Sequence, residues 1–290
     1  EYISRPRFLA ISEFGPGSFI YHEGSRYVIS RVMVTVQEDE ELASGKIKQC
    51  SACGYIHPIA QGDGLDICEM CGERLPHAWD NLFRMRNVST RRRDRINSDE
   101  EERTKYGYTL RTGFRFAQHG GTPAYRIAEI RGQDGNLQAT LKYGHGATLW
   151  RINLGWANRS ETAPPGFMLD FDRGMWTKEG SGGADAELNE AGTGRTRRVI
   201  PYVEDRKNCL LVVPGARLSP DAVVSLQAAL KQAIQREYQL EEFELASETL
   251  PAGTEPQAIL LYESAEGGAG VLRRLVDDPK SMKAVAKEAL

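Results

Sequence analysis

The sequence predicts an α+β protein with a β-rich amino-terminal half, an inserted segment containing four cysteines, and an α/β carboxy-terminal part. Three observations lead to this fold class. Short segments rich in β-branched and aromatic residues, separated by Gly and Pro turns, fill the first half. Two Cys-x-x-Cys pairs interrupt them. After residue 196, strand-like apolar segments alternate with helix-like periodicity.

Composition sets limits on function. The 290 residues are 40% hydrophobic and 27% charged, which is ordinary for a soluble globular protein. Because no apolar run reaches the roughly 18 residues needed to span a bilayer, no membrane partner is expected. The net charge of −3 means that any nucleic-acid binding must come from a local basic patch. The chain starts at Glu1 without an initiator Met or a signal pattern, so we expect a piece of a longer protein.

Residues 1–45 are predicted to form a β-rich segment that packs with residues 77–178. Strand-like composition occurs in Phe8–Ile11, in 18–21 and in 26–34. Turn signals, including a Gly-Pro-Gly sequence at 15–17, separate these segments.

The four cysteines Cys50, Cys53, Cys68 and Cys71 form two Cys-x-x-Cys-Gly turns with fourteen residues between them. Each pair can direct two sulfurs at one centre, and two pairs complete the tetrahedral four-sulfur site that Zn²⁺ prefers. With no open position for a catalytic water, this zinc should organise residues 46–76 as a ribbon rather than perform chemistry. The alternative is a pair of disulfides or reduced thiols. We expect the ribbon to loosen without metal while the carboxy-terminal part stays folded.

Arginines are concentrated immediately after the ribbon, at Arg84, Arg86, Arg91, Arg92, Arg93 and Arg95. Closely spaced guanidinium groups suit phosphate oxygens, so this cluster is the predicted nucleic-acid-binding segment. The alternative is a solvated face, partly ion-paired with the acidic residues 99–102. Ser98 has the capping-box pattern of a short helix that ends at Gly107. Strands are predicted at 108–116, 139–143 and 148–154.

Residues 179–196 are rich in Gly and small polar residues and are predicted to be a flexible loop. The α/β part then covers 197–290. Strands are predicted at 209–213, 243–245 and 258–262, and helices from Ser219-Pro220 onward and over 271–290. Cys209 lies in an apolar run and is interpreted as a buried thiol. This cysteine usage indicates a reducing compartment, hence a cytoplasmic location.

A glycine-rich turn, Gly267, Gly268 and Gly270, connects the last predicted strand to the last helix. Such a turn can present backbone N–H groups to a phosphate, or it can simply allow close strand–helix packing. The Lys-Ser/Thr of a phosphate-binding loop is absent, so nucleotide binding and ATP hydrolysis are not expected of this chain. His57 and His77 flank the cysteines, but four thiolates already complete the cage. No nucleophile–base pattern is evident.

Several motifs together carry a family resemblance: 11–18 (Ile-Ser-Glu-Phe-Gly-Pro-Gly-Ser), the twin Cys-x-x-Cys-Gly turns, 95–103 with Gly107-Tyr108, and 262–270 (Tyr-Glu-Ser-Ala-Glu-Gly-Gly-Ala-Gly). The chain resembles the carboxy-terminal region of bacterial superfamily-two helicases of the mitomycin repair factor A type. That region includes the MrfA zinc-binding domain, which also occurs in phage-defence helicases. Members usually carry another cysteine cluster after the glycine turn, so we expect the 197–290 domain to be truncated. The alternative is that the cysteines at 50–71 form the only metal site in this branch of the family.

The resemblance implies a non-catalytic accessory module that works beside an ATP-driven DNA motor, on the same or a companion chain, in repair or antiphage defence. The expected cofactor is Zn²⁺, and the expected partners are the motor domains and DNA. A second hypothesis is a protein-interaction module of a defence or repair complex that does not bind DNA. A third is an independent hydrolase that uses Glu263 or Glu266.

Overall fold

Strands dominate the computed structural model, which describes residues 2–34, 45–95, 107–160, 162–177, 196–253, 255–265 and 267–289. Four helices are present in these ranges: α1 (Arg7–Glu13), α2 (Pro220–Tyr238), α3 (Val271–Asp277) and α4 (Pro279–Glu288). None of these helices combines the length and apolarity needed to cross a bilayer. The predicted α+β class is confirmed.

The strands of the described residues are β1 (Phe19–His22), β2 (Ser25–Val32), β3 (Gly45–Gln49), β4 (Ile56–Ile59), β5 (Trp79–Arg84), β6 (Val88–Arg95), β7 (Tyr108–Arg115), β8 (Gln118–His119), β9 (Thr122–Pro123), β10 (Arg126–Arg131), β11 (Leu137–Trp156), β12 (Phe167–Asp170), β13 (Met175–Thr177), β14 (Thr196–Pro214), β15 (Leu245–Leu250) and β16 (Ala258–Glu263). All except β8 and β9 belong to one connected sheet.

Two long antiparallel strands, β11 and β14, form the spine of this sheet. β11 pairs with β7, β10 and β14, while β14 also pairs with β5, β12 and β16. The predicted strands 139–143 and 148–154 are therefore two halves of β11, separated by a bulge between Gly144 and Ala147. A Cβ at Gly144 would overlap the Phe116 ring, so glycine permits this close approach.

The first predicted strand is wrong, because Phe8–Ile11 lies in helix α1. Phe8 and Ile11 are three residues apart and so share one helical face. Ile11 is buried in an apolar cluster that includes Phe83, Leu169 and Val199. A continuous run of four apolar residues fits a short helix as well as a buried strand, and packing decided between the two.

The carboxy-terminal elements follow the sequence signals closely. Ser219 caps α2, with its Oγ accepting from the Ala222 N–H at 3.3 Å and Pro at the first turn. The single helix predicted over 271–290 is wrong, because it breaks into α3 and α4 at Asp278-Pro279. Proline cannot donate the helical hydrogen bond, and the Asp278 side chain caps α4 by accepting from the Lys280 N–H. The strand expected from residue 243 begins at Leu245 instead.

The helices α2, α3 and α4 cover one face of the sheet. Their apolar residues form a core with residues of β11, β14, β15 and β16, among them Leu210, Leu230, Ile259 and Leu272. β14 pairs both with strands of the first part of the chain and with β16 of the last part. The domain boundaries remain predictions, and the helix at Ser98 and the loop 179–195 lie outside the described residues.

We predict that Gly113→Ala destabilises the protein by about 1–3 kcal/mol through overpacking. A Cβ at this position of β7 would lie 2.6 Å from Ile56 Cγ1 and 2.8 Å from Gln49 Nε2. Ile56→Val, which alone should cost about 0.5–1.5 kcal/mol, removes a methyl from the point of overlap. Urea unfolding of the double variant should therefore show a cost smaller than the sum of the single costs. Additive costs would contradict this packing explanation.

Candidate metal centre and arginine strand

The hairpin of β3 and β4 carries the first cysteine pair, and the second pair follows in an irregular loop. Both pairs use the same turn. The Gly54 N–H donates to the Cys50 carbonyl at 2.9 Å, and the Gly72 N–H donates to the Cys68 carbonyl at 2.9 Å. Both glycines have positive φ, at 74° and 78°. Glycine is therefore required where each turn closes, because other residues are strained in this conformation.

The four sulfurs converge on one point. The Sγ atoms of Cys50, Cys53, Cys68 and Cys71 lie within 4.8 Å of one another, and no other such group of three or more potential ligands occurs among the described residues. Cys50 and Cys71 sulfurs are 3.6 Å apart, and those of Cys53 and Cys68 are 3.7 Å apart. A tetrahedral zinc with Zn–S bonds of about 2.3 Å requires sulfurs about 3.8 Å apart. The cluster therefore fits Zn²⁺.

The protonation of these thiols is strongly interdependent. Hydrogen bonds from the Cys53 and Cys68 side chains lower the pKa of Cys50, whereas hydrogen bonds with Cys50 and Cys68 raise the pKa of Cys53. Ionising one thiol therefore opposes ionisation of its neighbour. A divalent cation removes this conflict, because it stabilises all four thiolates together.

A row of three polar side chains, from His57, Glu69 and Arg115, lies next to the cysteine cluster. His57 is only 2% exposed, and its Nε2 lies 3.4 Å from the Cys68 sulfur. Its Nδ1 lies 3.5 Å from Glu69 Oε2, which accepts from Arg115 Nη1 at 3.0 Å. When protonated, Nε2 can donate to the Cys68 thiolate and spread its charge. We therefore predict that His57 positions this sulfur and is not a fifth ligand.

The ribbon does not pack as a separate unit. Cys50, Tyr55 and Cys68 share one buried cluster with Leu250 and Tyr262 of the carboxy-terminal part. A Cβ at Gly54 would lie 2.9 Å from Leu250 Cδ2, so the first cysteine turn rests directly on the end of β15. That the carboxy-terminal part stays folded without metal remains a prediction. Because these residues share a core, we expect loss of metal to loosen the packing around Leu250 as well.

The predicted arginine cluster lies on β5, β6 and their connection. Arg84 forms an ion pair with Glu204 at 3.0 Å, and Arg92 Nη2 donates to Ser25 Oγ at 2.9 Å. Arg91 and Arg93 are exposed. Arg86 is exposed too, and the side chain of Arg95 lies outside the described residues. Arg84 and Arg92 thus contact protein partners, whereas Arg91 and Arg93 are directed to solvent.

The glycine turn precedes α3 and is tied to a buried glutamate. Glu263 is 2% exposed, and its Oε1 accepts from the Leu272 N–H at 3.2 Å while its Oε2 accepts from Asn208 Nδ2 at 3.0 Å. A Cβ at Gly268 would overlap Glu263 Oε2. The carboxylate thus occupies the place at the helix start where a phosphate would bind. These contacts favour the packing interpretation of the turn, and ligand binding by Gly267, Gly268 and Gly270 stays a prediction.

Sequence reasoning missed His57 and Arg115 as partners of the metal cluster. The signal for His57 was its place three residues after the first Cys-x-x-Cys-Gly turn, on the strand that returns beside it. Arg115 is far away in sequence, and no pattern pointed to it. Cys209 is fully buried, as interpreted from the sequence, and burial raises the pKa of its thiol.

Comparisons with known proteins bear on the carboxy-terminal part. Residues 226–290, less than half of the chain, match the family model of the MrfA Zn-binding domain, which confirms the resemblance there. A solved structure, of the DUF1998 helicase MrfA bound to DNA, is similar over 97% of this chain and 26% of that chain, with 10% identity and a TM-score of 0.42. This chain thus spans about a quarter of that helicase. No curated protein matches the chain.

The family match and the four converging thiols agree on zinc binding. Residues 226–290 contain neither Cys nor His, so the cysteine cluster lies outside the matched segment. The assignment of Cys50, Cys53, Cys68 and Cys71 as the ligands is the prediction that follows.

We predict one Zn²⁺ per chain, which Cys53→Ser and Cys71→Ser remove, because each change deprives the tetrahedral site of one thiolate. Elemental analysis of protein purified without chelators measures the metal. Cys209→Ala is the matched control, since this buried cysteine lies apart from the cluster and its loss should leave zinc in place. Hydrogen exchange should also rise at Leu250 in the zinc-free protein. Zinc-free wild-type protein would overturn the assignment.

His57→Phe should lower zinc affinity roughly ten-fold, because it keeps the ring volume but removes the N–H directed at the Cys68 sulfur. Competition with a chromophoric chelator measures the affinity. His57→Gln retains a donor and should retain more of the affinity. The matched control is His77→Phe, at an exposed position, which should leave the affinity unchanged. Equal zinc affinities for His57→Phe and the wild type would show that the contact between His57 and Cys68 does not affect zinc binding.

Proposed function

We propose that this chain is a non-catalytic, zinc-stabilised accessory module of an ATP-dependent DNA helicase, and that it contacts DNA or the motor domains in DNA repair or antiphage defence. The observation that carries the proposal is the match of residues 226–290 to the MrfA Zn-binding domain. The motor would be supplied by the same or a companion chain, and the setting is cytoplasmic.

The acidic residues of the carboxy-terminal part support a non-catalytic role. Glu263 is held by the Leu272 N–H and by Asn208. Glu248 is ion-paired with Arg151, and burial raises the pKa of Glu248. A hydrolase would need a carboxyl group directed into a substrate cleft. Glu266, the second carboxylate considered for a hydrolase, lies outside the described residues. The contacts of Glu263 and Glu248 account for these two as parts of the fold.

The arginines of β6 support contact with DNA. Arg91 and Arg93 are exposed on β6, and no ion pair neutralises either guanidinium within the described part of the chain. The alternative function is a protein-interaction module of a defence or repair complex that does not bind DNA. Long arginines on an edge strand can serve to prevent unwanted strand pairing instead of binding DNA, and this explanation of the arginines favours the alternative.

We predict that the isolated chain binds DNA with an affinity that falls as salt rises, and that it neither binds nor hydrolyses ATP. Fluorescence anisotropy with a labelled oligonucleotide, at several salt concentrations, measures the first property. Calorimetry with ATP and Mg²⁺ and a phosphate-release assay measure the second. Absence of salt-dependent DNA binding would favour the protein-interaction alternative. Micromolar affinity for ATP, or turnover by this chain alone, would overturn the accessory-module proposal.

A further inference from the structure

The arginines of the amino-terminal sheet are sorted by face. In an antiparallel pair, opposite residues share a face, and successive residues along a strand alternate. Arg92 pairs with Tyr27, and Val88 pairs with Val32, so these four residues share one face. Val32 and Val88 on this face belong to an apolar cluster of the core. Ser89, Arg91 and, by alternation, Arg93 lie on the other face.

A β-bulge brings a further arginine, which the sequence did not suggest, to this second face. Ile29 pairs with Thr90, but Arg31 pairs with Ser89, so Ser30 is an extra residue in β2. The bulge shifts the alternation and directs Arg31 to the same face as Arg91. Arg31 is exposed and has no ion pair with any residue that the structure describes. Three exposed guanidinium groups, on Arg31, Arg91 and Arg93, therefore share one surface.

Two aromatic residues of β1 extend this surface. Phe19 pairs with Val28, which itself pairs with Arg91, and Tyr21 pairs with Arg26. Both rings are half-buried, and the Arg26 guanidinium lies 4.9 Å from the centre of the Phe19 ring. Rings and guanidinium groups thus alternate across β1, β2 and β6. We name Phe19, Tyr21, Arg31, Arg91 and Arg93 the β1–β2–β6 face.

One acidic residue beside this surface, Asp170, is turned inward. Met175 pairs with both Asp170 and Arg31. Because paired residues share a face, Asp170 lies on the same side of the sheet as Arg31. Its side chain is 2% exposed, and its Oδ1 accepts from the backbone N–H groups of Asp172 and Arg173. Asp170 is therefore turned inward and does not offset the guanidinium groups at the surface.

From this arrangement we propose that the β1–β2–β6 face binds a single strand of DNA, with Arg31, Arg91 and Arg93 on the phosphates and Phe19 and Tyr21 against unpaired bases. Residues two apart on a strand are about 6.7 Å apart, which is close to the separation of successive phosphates. Unpaired bases can stack on aromatic rings, whereas the bases of a duplex are already stacked on one another. This inference rests on the proposed DNA contact and specifies its site and its strand preference.

The test compares variants of the full chain by anisotropy with labelled oligothymidylate and with a duplex of equal length. Changing Arg31, Arg91 and Arg93 together to Ala should reduce the slope of log affinity against log salt by about 2, since each phosphate contact on a single strand contributes about 0.7. The matched control changes Arg131, Arg217 and Arg236 to Ala. These arginines are also exposed, and the control has the same net charge as the first variant.

Changing Phe19 and Tyr21 to Leu should weaken binding to the single strand roughly ten-fold and leave any duplex binding unchanged. Circular dichroism melting checks that each variant is folded, and Phe19→Tyr provides a ring-preserving variant that should keep its affinity. Loss of affinity in the Leu variant together with the reduced slope in the arginine variant would support the proposal.

Three outcomes would overturn it in distinguishable ways. If the wild-type chain binds neither DNA form, the proposed DNA contact fails and this inference with it. If the wild type binds with a salt-dependent affinity, but the arginine variant keeps the slope of the control, the DNA contact stands and its site lies elsewhere. A preference for duplex that the arginine variant abolishes would contradict the single-strand assignment.

Discussion

Attraction of four thiolates to one divalent cation is the interaction on which the rest of this structure depends. The segment from β3 to β5 is too short for a core of its own, and structural zinc sites contribute about 10–16 kcal/mol in comparable peptides. The two cysteine turns place Tyr55 between Phe114 and Phe116, with ring centres 5.2 and 6.3 Å from its own. The metal centre therefore helps to complete the apolar layer on which β7, β15 and β16 meet.

Long strands explain how distant parts of the chain act as one body. β14 pairs with β5 and β12 at its beginning and with β16 near its end, so one strand joins the arginine-bearing sheet to the α2–α3–α4 layer. The Arg151–Glu248 ion pair links β11 to β15 in the same way. The first and last parts of the described chain therefore share one hydrogen-bonded sheet.

Local sequence signals correctly predicted the structural elements that depend on interactions between residues close in sequence. Ser219-Pro220 starts α2 because the cap and the fixed φ of proline act within one turn. The Cys-x-x-Cys-Gly turns form as expected because glycine adopts their positive φ without strain. Prediction failed where long-range packing decided: Phe8–Ile11 became a helix against the sheet, and Arg115 reached Glu69 across the fold. The break at Pro279 carried a readable local signal that was overlooked.

The sequence by itself determined the α+β fold class and predicted a four-thiolate zinc site, because fold class follows from residue periodicity and the expected ligand set from cysteine spacing. Only the tertiary structure decided which arginines face solvent together. That outcome depends on cross-strand register and on one extra residue in β2, since a shift of one residue moves every following side chain to the opposite face of a sheet. Register arises from pairing between strands that are distant in sequence, and no single segment encodes it.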